Sequence, residues 1–242
     1  MRGPIPFLGL WLVLSLLLAT CGGEGTPALG DSGAPEPGRL VIIGGGLQAE
    51  NTDVYQAVLL GREGGGPLCV FPTASAEPQE SMEKAMAAFD ALAGAGTTQG
   101  IFLTVDNPEA AALDSTVAQI EACSGFYFVG GQQSRIVSVF RPTEGDTPAY
   151  QALMARYRAG AVVSGSSAGA AIMTDPMIGG GNSVGALQAG VRGEEDEEGV
   201  KLEKGLGLLD AALVDQHFLA RGRWARLLVA VLATDTFDFG LG

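Results

Sequence analysis

From residue 39 onward, short apolar runs alternate with segments of helical periodicity, and this alternation constrains the fold more than any other feature of the chain. A turn rich in Gly and small polar residues follows most of the runs. Uninterrupted apolar strands that alternate with helices are typical of a parallel sheet with helices on both faces. We therefore predict an α/β domain with strands at residues 40–43, 68–71, 101–105, 126–129 and 161–164.

The predicted helices lie between these strands. Apolar residues at helical spacing, such as Met82, Met86 and Phe89, mark the buried face of one of them. The helices are predicted at residues 77–93, 108–123 and 150–158. Without its N-terminal segment, the chain suits one domain of about 200 residues, which is long enough to bury a core.

Four of the turns follow predicted strands directly and would meet at one edge of the sheet, where folds of this class bind their ligands. Turns between strands and helices favour Gly and small residues in any case, so we expect the first two to be ordinary connections. The first one lacks the G-x-G-x-x-G pattern of a dinucleotide site. The four turns are residues 44–46, 72–74, 130–133 and 165–169.

The last of these turns contains the pattern Gly165-x-Ser167-x-Gly169, which fits a nucleophile elbow. An apolar strand end precedes it and small residues of a helix start follow it, as such an elbow requires. A helix that begins there also offers backbone N–H groups to a developing oxyanion. The pattern predicts Ser167 as a nucleophile.

A serine hydroxyl needs a base to take its proton, and histidine is the usual base near neutral pH. His217 is the only histidine in the chain. It follows the apolar stretch 206–214, so we expect it at the end of a strand. The alternative is a purely structural histidine, and we favour the general base because of the residues around it.

A helix is predicted after His217, with three arginines around its first turns. Arg221, Arg223 and Arg226 either pair with carboxylates structurally or orient a substrate carboxylate, and we favour the structural role. The apolar residues on one face of this helix are Trp224, Leu227, Leu228, Val231 and Leu232.

The sequence contains three longer motifs, which are Gly130-Gly131-x-Gln133, Gly165-x-Ser167-Ala168-Gly169-Ala170 and Asp215-Gln216-His217-Phe218-x-x-Arg221-x-Arg223-x-x-Arg226-Leu227. Together they resemble the aspartyl dipeptidase and cyanophycinase family of serine peptidases, over roughly residues 40–242. The resemblance implies a flavodoxin-like, doubly wound fold related to class I glutamine amidotransferases, with no cofactor, no metal and commonly a homodimer.

The same resemblance implies a role for each matching residue. Ser167 corresponds to the family nucleophile and His217 to its general base. The backbone N–H groups of Gly131 and Ala168 would form the oxyanion hole, and Gln133 would lie near the substrate.

The sequence departs from the family pattern at the third member of the triad, a carboxylate. Relatives often carry a Glu in the stretch aligned with residues 183–187, where Gly185 cannot replace it. Another candidate acid in relatives follows a segment that would begin at residues 239–242, so we expect the sequence to be truncated at its C-terminus. Asp175 and the acidic run 194–198 are fallback candidates, although we favour a solvated loop for the run.

The N-terminal segment is predicted to be an export signal. Arg2 supplies a positive charge, and the apolar run at residues 7–18 is too short for a comfortable membrane span. Leu18-Ala19-Thr20-Cys21 resembles a bacterial lipobox, in which the cysteine is diacylated, although a residue smaller than threonine usually precedes it. Ordinary signal-peptide cleavage is the alternative. We thus predict a signal peptide at 1–20, a flexible tether at 21–38 and a peptidase domain at 39–242.

Charge and cysteine content restrict the partners and the compartment. Fourteen basic and 27 acidic residues give a net charge of -13, which argues against nucleic-acid binding. Membrane contact would come through the N-terminal lipid only, in a cell-envelope lipoprotein, whereas ordinary cleavage would give a secreted protein. After export, Cys69 and Cys123 either form a disulfide or remain buried thiols.

The motifs together predict an exported serine peptidase. The resemblance implies that its substrate is cyanophycin, an aspartate backbone bearing arginine on its side-chain carboxyls, which is cut into β-aspartyl-arginine dipeptides. One alternative is a dipeptidase that acts on peptides with N-terminal aspartate. Another is a binding protein that kept the fold and lost catalysis.

Overall fold

In the computed structural model, which describes residues 38–192 and 199–242, short parallel strands form a five-stranded central sheet. They are β1 (Leu40–Ile43), β2 (Leu68–Phe71), β3 (Thr98–Gly100), β4 (Gly125–Phe128) and β5 (Val162–Ser166). Their order across the sheet is β1-β5-β4-β2-β3. Four of the five predicted strands are confirmed, with ends shifted by no more than two residues.

Alternate side chains of the central strands point to opposite faces, and helices cover both faces. In β2, Leu68 and Val70 pack in one buried cluster while Cys69 and Phe71 pack in another. Helices α1 (Thr52–Leu60) and α2 (Pro78–Ala93) cover the first face. The second face carries α3 (Asp114–Ala122), α4 (Gln133–Phe140) and α5 (Pro148–Arg158). The predicted doubly wound α/β fold is therefore confirmed.

The third predicted strand is wrong in position. Residues 101–105 were expected to form it, but β3 spans the three residues before them, and Ile101 and Leu103 are buried in irregular backbone. The register pairs Val70 of β2 with Gly100, the last residue of β3. If β3 continued for two more residues, the second of them would lie opposite Pro72. Because Pro has no N–H to donate, the ladder ends there.

The helix predicted at 108–123 is broken into a 3-10 turn, Pro108–Ala112, and α3. Leu113 joins them in an extended conformation, with ψ of 134°. In one continuous helix, Ala111 and Ile120 would point in opposite directions, because nine residues turn the helix by about two and a half turns. The break lets both residues enter the same core cluster.

A disulfide joins the two cysteines whose pairing the sequence left open. Cys69 in β2 and Cys123 after α3 lie with their Cα atoms 5.9 Å apart and are fully buried. The bond ties a central strand to the helix layer over one face of the sheet. It closes a loop with a sequence separation of 54 residues.

Smaller elements follow β5 along the chain, and most of those after α6 pack around a third buried cluster. The helix predicted after His217 is confirmed, but its buried face differs, because Leu227 is buried while Trp224 and Leu228 are 60% and 50% exposed. The small side chains of Ala225 and Ala230 face inward instead. The elements are α6 (Ala168–Ala171), β6 (Met177–Gly180), α7 (Ser183–Ala189), β7 (Val191–Arg192), β8 (Val200–Glu203), β9 (Ala212–Val214), α8 (Trp224–Ala233) and β10 (Phe239–Leu241).

The predicted signal peptide, its lipobox and nearly all of the tether fall in residues 1–37, outside the described residues. The acidic run 194–198 also lies outside them. Within the described ranges, no helix combines the length and the apolar character that a membrane crossing needs.

Candidate active site

Ser167 occupies a sharp turn between β5 and α6. Its backbone has φ 56° and ψ -108°, a conformation that residues with a side chain rarely adopt. A Cβ on Gly165 would collide with the backbone of Gly169, and a Cβ on Gly169 would collide with the carbonyl of Phe128. The two glycines of the sequence motif therefore permit the close approach of strand and helix, and the predicted elbow is present.

His217 follows β9 and faces the nucleophile. Its Nε2 lies 2.9 Å from the Oγ of Ser167. The N–H of His217 donates to the carbonyl of Gly44 at 2.7 Å, which ties this segment to the turn after β1. The imidazole packs against Gly45, where a Cβ would collide with the ring. The structure thus brings together the two residues that the sequence predicted, although they are fifty positions apart.

The surroundings of His217 favour its neutral form. Partial burial lowers the pKa of His217 from its ordinary value of 6.5, and the nearby Arg221 and Arg223 guanidinium groups lower this pKa further. A neutral imidazole can accept the hydroxyl proton of Ser167. In the described part of the chain, no carboxylate bonds to the other ring nitrogen of His217.

The fallback carboxylate Asp175 is in the wrong place for the triad. It pairs with Arg141 at 2.6 Å and accepts from the backbone N–H of Gly205 at 3.2 Å. Its position is thus fixed by a structural ion pair. Gly185 lies buried in α7, where a Cβ would come within 2.9 Å of the backbone nitrogen of Gly199.

The three arginines after His217 divide into two kinds. Arg226 is 3% exposed and forms a bidentate pair with the equally buried Asp215. Arg223 donates to the carbonyl of Gln216 at 2.6 Å. Both hold the segment that carries His217 in place. The side chain of Arg221 is exposed and makes no ion pair with any residue in the described ranges, so it is available to a ligand.

The predicted oxyanion amides lie at the two turns beside the nucleophile. Gly131 has φ 148°, and a Cβ there would collide with the carbonyl of Ala74. The neighbouring Gly130 faces the side chain of Ser167. Within residues 38–192 and 199–242, the amides of Gly131 and Ala168 donate to no other group. Both amides are therefore free to bind an oxyanion.

Two glutamines lie in the motifs that carry the predicted site residues. Gln133, predicted to lie near the substrate, donates its side-chain amide to the carbonyls of Ile178 and Gly179, each at 3.1 Å. It therefore anchors β6, and only its side-chain oxygen is left for a ligand. Gln216 was not predicted as a site residue, yet its Oε1 lies 3.4 Å from the Oγ of Ser167. Its position next to His217 in the third motif was the available signal.

A pocket of about 740 Å³ opens beside Ser167. Its walls come from the loop between β1 and α1, from one face of α2 and from the ends of β4 and β5. Its volume is typical of sites for small molecules or peptide side chains. In the described ranges, no group of three His, Cys, Asp or Glu side chains converges to hold a metal ion.

Comparison with known protein families shows to which family this chain belongs. The sequence profile of peptidase family S51 matches residues 40–235. The chain belongs to peptidase family S51. The resemblance noted from the three motifs is thereby confirmed.

Curated relatives of this S51 chain include cyanophycinases from Nostoc sp. and Trichormus variabilis. Each is 32% identical over 198 residues, which cover 80% of this chain and 61% of the relative. The chain thus spans about three fifths of the length of these proteins. Among solved structures, a peptidase from an acI-B1 Actinobacterium superposes with a TM-score of 0.57 at 19% identity, over 85% of this chain and 80% of that one. It shares the fold.

Proposed function

We propose that this S51 chain is a serine-type peptidase in which Ser167 is the nucleophile and His217 the general base. The observation that carries the proposal is the distance of 2.9 Å between Ser167 Oγ and His217 Nε2 at a strained elbow. Few structural roles require a serine with positive φ to face the only histidine of the chain.

The reaction proceeds by acyl transfer. His217 takes the proton of Ser167 as its oxygen attacks the peptide carbonyl, and the amides of Gly131 and Ala168 stabilise the negative oxygen. The imidazolium then gives its proton to the leaving amine. A water molecule, activated by the same imidazole, releases the acyl group and restores the serine.

The proposed substrate is cyanophycin or another aspartate- and arginine-containing peptide. Curated relatives that match 80% of the chain are named cyanophycinases. The guanidinium of Arg221 is exposed and makes no ion pair within the described ranges, and it lies near His217, in a position that suits a substrate carboxylate. The net charge of -13 favours approach of an arginine-rich polymer.

Export belongs to the same proposal. The buried disulfide between Cys69 and Cys123 supports an oxidising compartment, since such bonds are rare in the cytosol. Lipid attachment at Cys21 is tested by growing cells with labelled palmitate. We expect label in the wild type and none in Cys21→Ser, and label that persists in Cys21→Ser would refute the lipoprotein assignment.

A binding protein without catalysis is the second candidate. The observation in its favour is the lack of a carboxylate on His217 in the described part of the chain. Such a protein would be stabilised by its ligand but would show no turnover, and Ser167→Ala would not change its behaviour.

The deciding experiment measures release of β-aspartyl-arginine from insoluble cyanophycin, and from peptides with N-terminal aspartate, by the full-length protein. Ser167→Ala and His217→Ala should each abolish release, and the double variant should be no worse than either, because the two groups act as a unit. Ser115→Ala on the exposed side of α3 is the matched control and should retain full activity. Additive losses would contradict a shared mechanism, and binding without release by the wild type would favour the second candidate.

A further inference from the structure

The lining of the pocket beside Ser167 mixes polar and apolar surface, and two aromatic rings belong to it. Tyr55 and Tyr127 line it with only 7% and 5% of their surface exposed. Ser166, directly before the nucleophile, lines the same pocket. Alanines of α2, such as Ala85 and Ala88, form another wall. A flexible methylene chain can therefore lie against the apolar part of these walls.

Two opposite charges also line this pocket, on two different segments. Glu50 lies in the loop before α1, and Lys84 lies on α2. Both side chains are exposed, and neither forms an ion pair with any residue that the structure describes. Burial and then the carboxylate of Glu50 raise the pKa of Tyr55, which lines the same pocket.

We propose that this pocket is a specificity subsite for a branch that carries both a guanidinium and a carboxylate, with Glu50 accepting from the guanidinium and Lys84 pairing with the carboxylate. An arginine joined to the polymer through its α-amino group is such a branch, since its guanidinium and its α-carboxylate are both free. The inference rests on the proposed function, because it names the part of that substrate which the pocket recognises.

The chemistry of each wall matches one part of the branch. A guanidinium presents a rigid fork of N–H donors that fits a carboxylate in a bidentate manner. The ammonium of lysine is a flexible point charge and suits a carboxylate whose position varies along a polymer. The methylene groups between the two charges lie over the tyrosine rings and the alanines of α2. The pocket volume of 740 Å³ accommodates a branch of this size.

The test measures dissociation constants by calorimetry on the inactive Ser167→Ala protein, so that binding is read without turnover. The probe is a synthetic aspartate trimer with arginine on each side-chain carboxyl. In a second probe citrulline replaces arginine, which removes the charge of the guanidinium and keeps its shape. In a third probe agmatine replaces arginine, which removes the carboxylate.

Glu50→Gln should weaken binding of the arginine probe about fivefold, the range expected for an exposed ion pair, and should leave the citrulline probe unaffected. Lys84→Gln should weaken the arginine probe similarly and leave the agmatine probe unaffected. Glu121→Gln and Arg158→Gln make the same charge changes on α3 and α5, which cover the other face of the sheet, and should change no dissociation constant.

Equal weakening of all three probes, no weakening of any, or no binding of the arginine probe by the Ser167→Ala protein would overturn the subsite. The proposed reaction is tested by a separate measurement, the release of dipeptide by the wild type. If the wild type releases dipeptide and Glu50→Gln binds normally, only the subsite is wrong. If the probes discriminate as expected and nothing is released, the subsite stands and the proposed reaction is wrong.

Discussion

Replacement of Gly45 by alanine tests whether the position of the imidazole determines the reactivity of Ser167. Gly45 has φ 127°, and a Cβ at this position would collide with the ring of His217. The neighbouring Gly46 also has a positive φ, 69°, but a Cβ there would meet no atom within 4 Å. Gly46→Ala is therefore a control that carries backbone strain without a collision.

The expected magnitudes follow from these contacts. Alanine in the left-handed conformation of Gly46 destabilises the fold by about 1–2 kcal/mol, and alanine at the larger φ of Gly45 costs at least as much. In Gly45→Ala the ring must also move away from the added methyl group, and its Nε2 moves with it. Misplacement of a catalytic group by about 1 Å lowers the rate by about a hundredfold. We therefore expect Gly45→Ala to lose about a hundredfold in reactivity and Gly46→Ala to lose little.

The assay is the rate at which a fluorophosphonate probe labels Ser167, followed by mass spectrometry of the intact protein. It depends on the serine and its base and does not require the natural substrate to be known. Thermal unfolding of both variants controls for the shared loss of stability. If Gly45→Ala labels as fast as Gly46→Ala while both remain folded, contact between Gly45 and the imidazole does not control the nucleophile.

Three further predictions concern the supports of the site. Arg226→Met removes both hydrogen bonds from the buried carboxylate of Asp215, which keeps only Arg223 at 3.9 Å. It should lower the free energy of unfolding by about 3–5 kcal/mol in urea denaturation, whereas Arg221→Met at an exposed position should change it by less than about 0.5 kcal/mol; equal effects would mean that the buried pair contributes nothing. The rate of fluorophosphonate labelling should rise with pH as the imidazole of His217 loses its proton, with a midpoint below 6.5, because burial and the arginines lower its pKa. Arg221→Gln removes one of these positive charges and should move the midpoint of the pH profile upward; an unchanged or lower midpoint would contradict the assignment. Replacing Cys69 and Cys123 together by alanine opens a loop with a separation of 54 residues and should lower the free energy of unfolding by about 4 kcal/mol on the chain-entropy model. Unfolding midpoints equal to those of the wild type would show that the bond adds no stability.

The sequence was sufficient to predict the strands at the centre of the sheet. Strands such as β2 and β4 are buried on both faces, so they consist almost entirely of apolar residues. A strand of this kind can be predicted from its run of apolar residues. The edge strand β3 is the exception. Its residues Thr98–Gly100 carry no apolar run, and pairing with β2 selects them over the more apolar 101–105 segment.

Some site residues were predictable and others were not. Ser167 lies in a local motif whose glycines have a fixed geometric purpose, and His217 was prominent as the only histidine. Gln216 had one signal, its place in the third motif. Glu50 and Lys84 had none, because an exposed charge in a loop or on a helix is ordinary and only the pocket between them gives it a role.

The amino-acid sequence by itself determined the layered α/β architecture, the elbow and its glycines, because these depend on local backbone conformation and on which segments are apolar. Only the tertiary structure decided which groups meet across long separations. It joined Cys69 to Cys123, placed the His217 imidazole against Ser167, and directed Arg226 to a buried carboxylate while Arg221 stayed exposed. These pairings depend on the order of strands in the sheet and on how closely two backbones approach each other. Neither property can be read from one local segment of the sequence, because each depends on segments that are far apart in the chain.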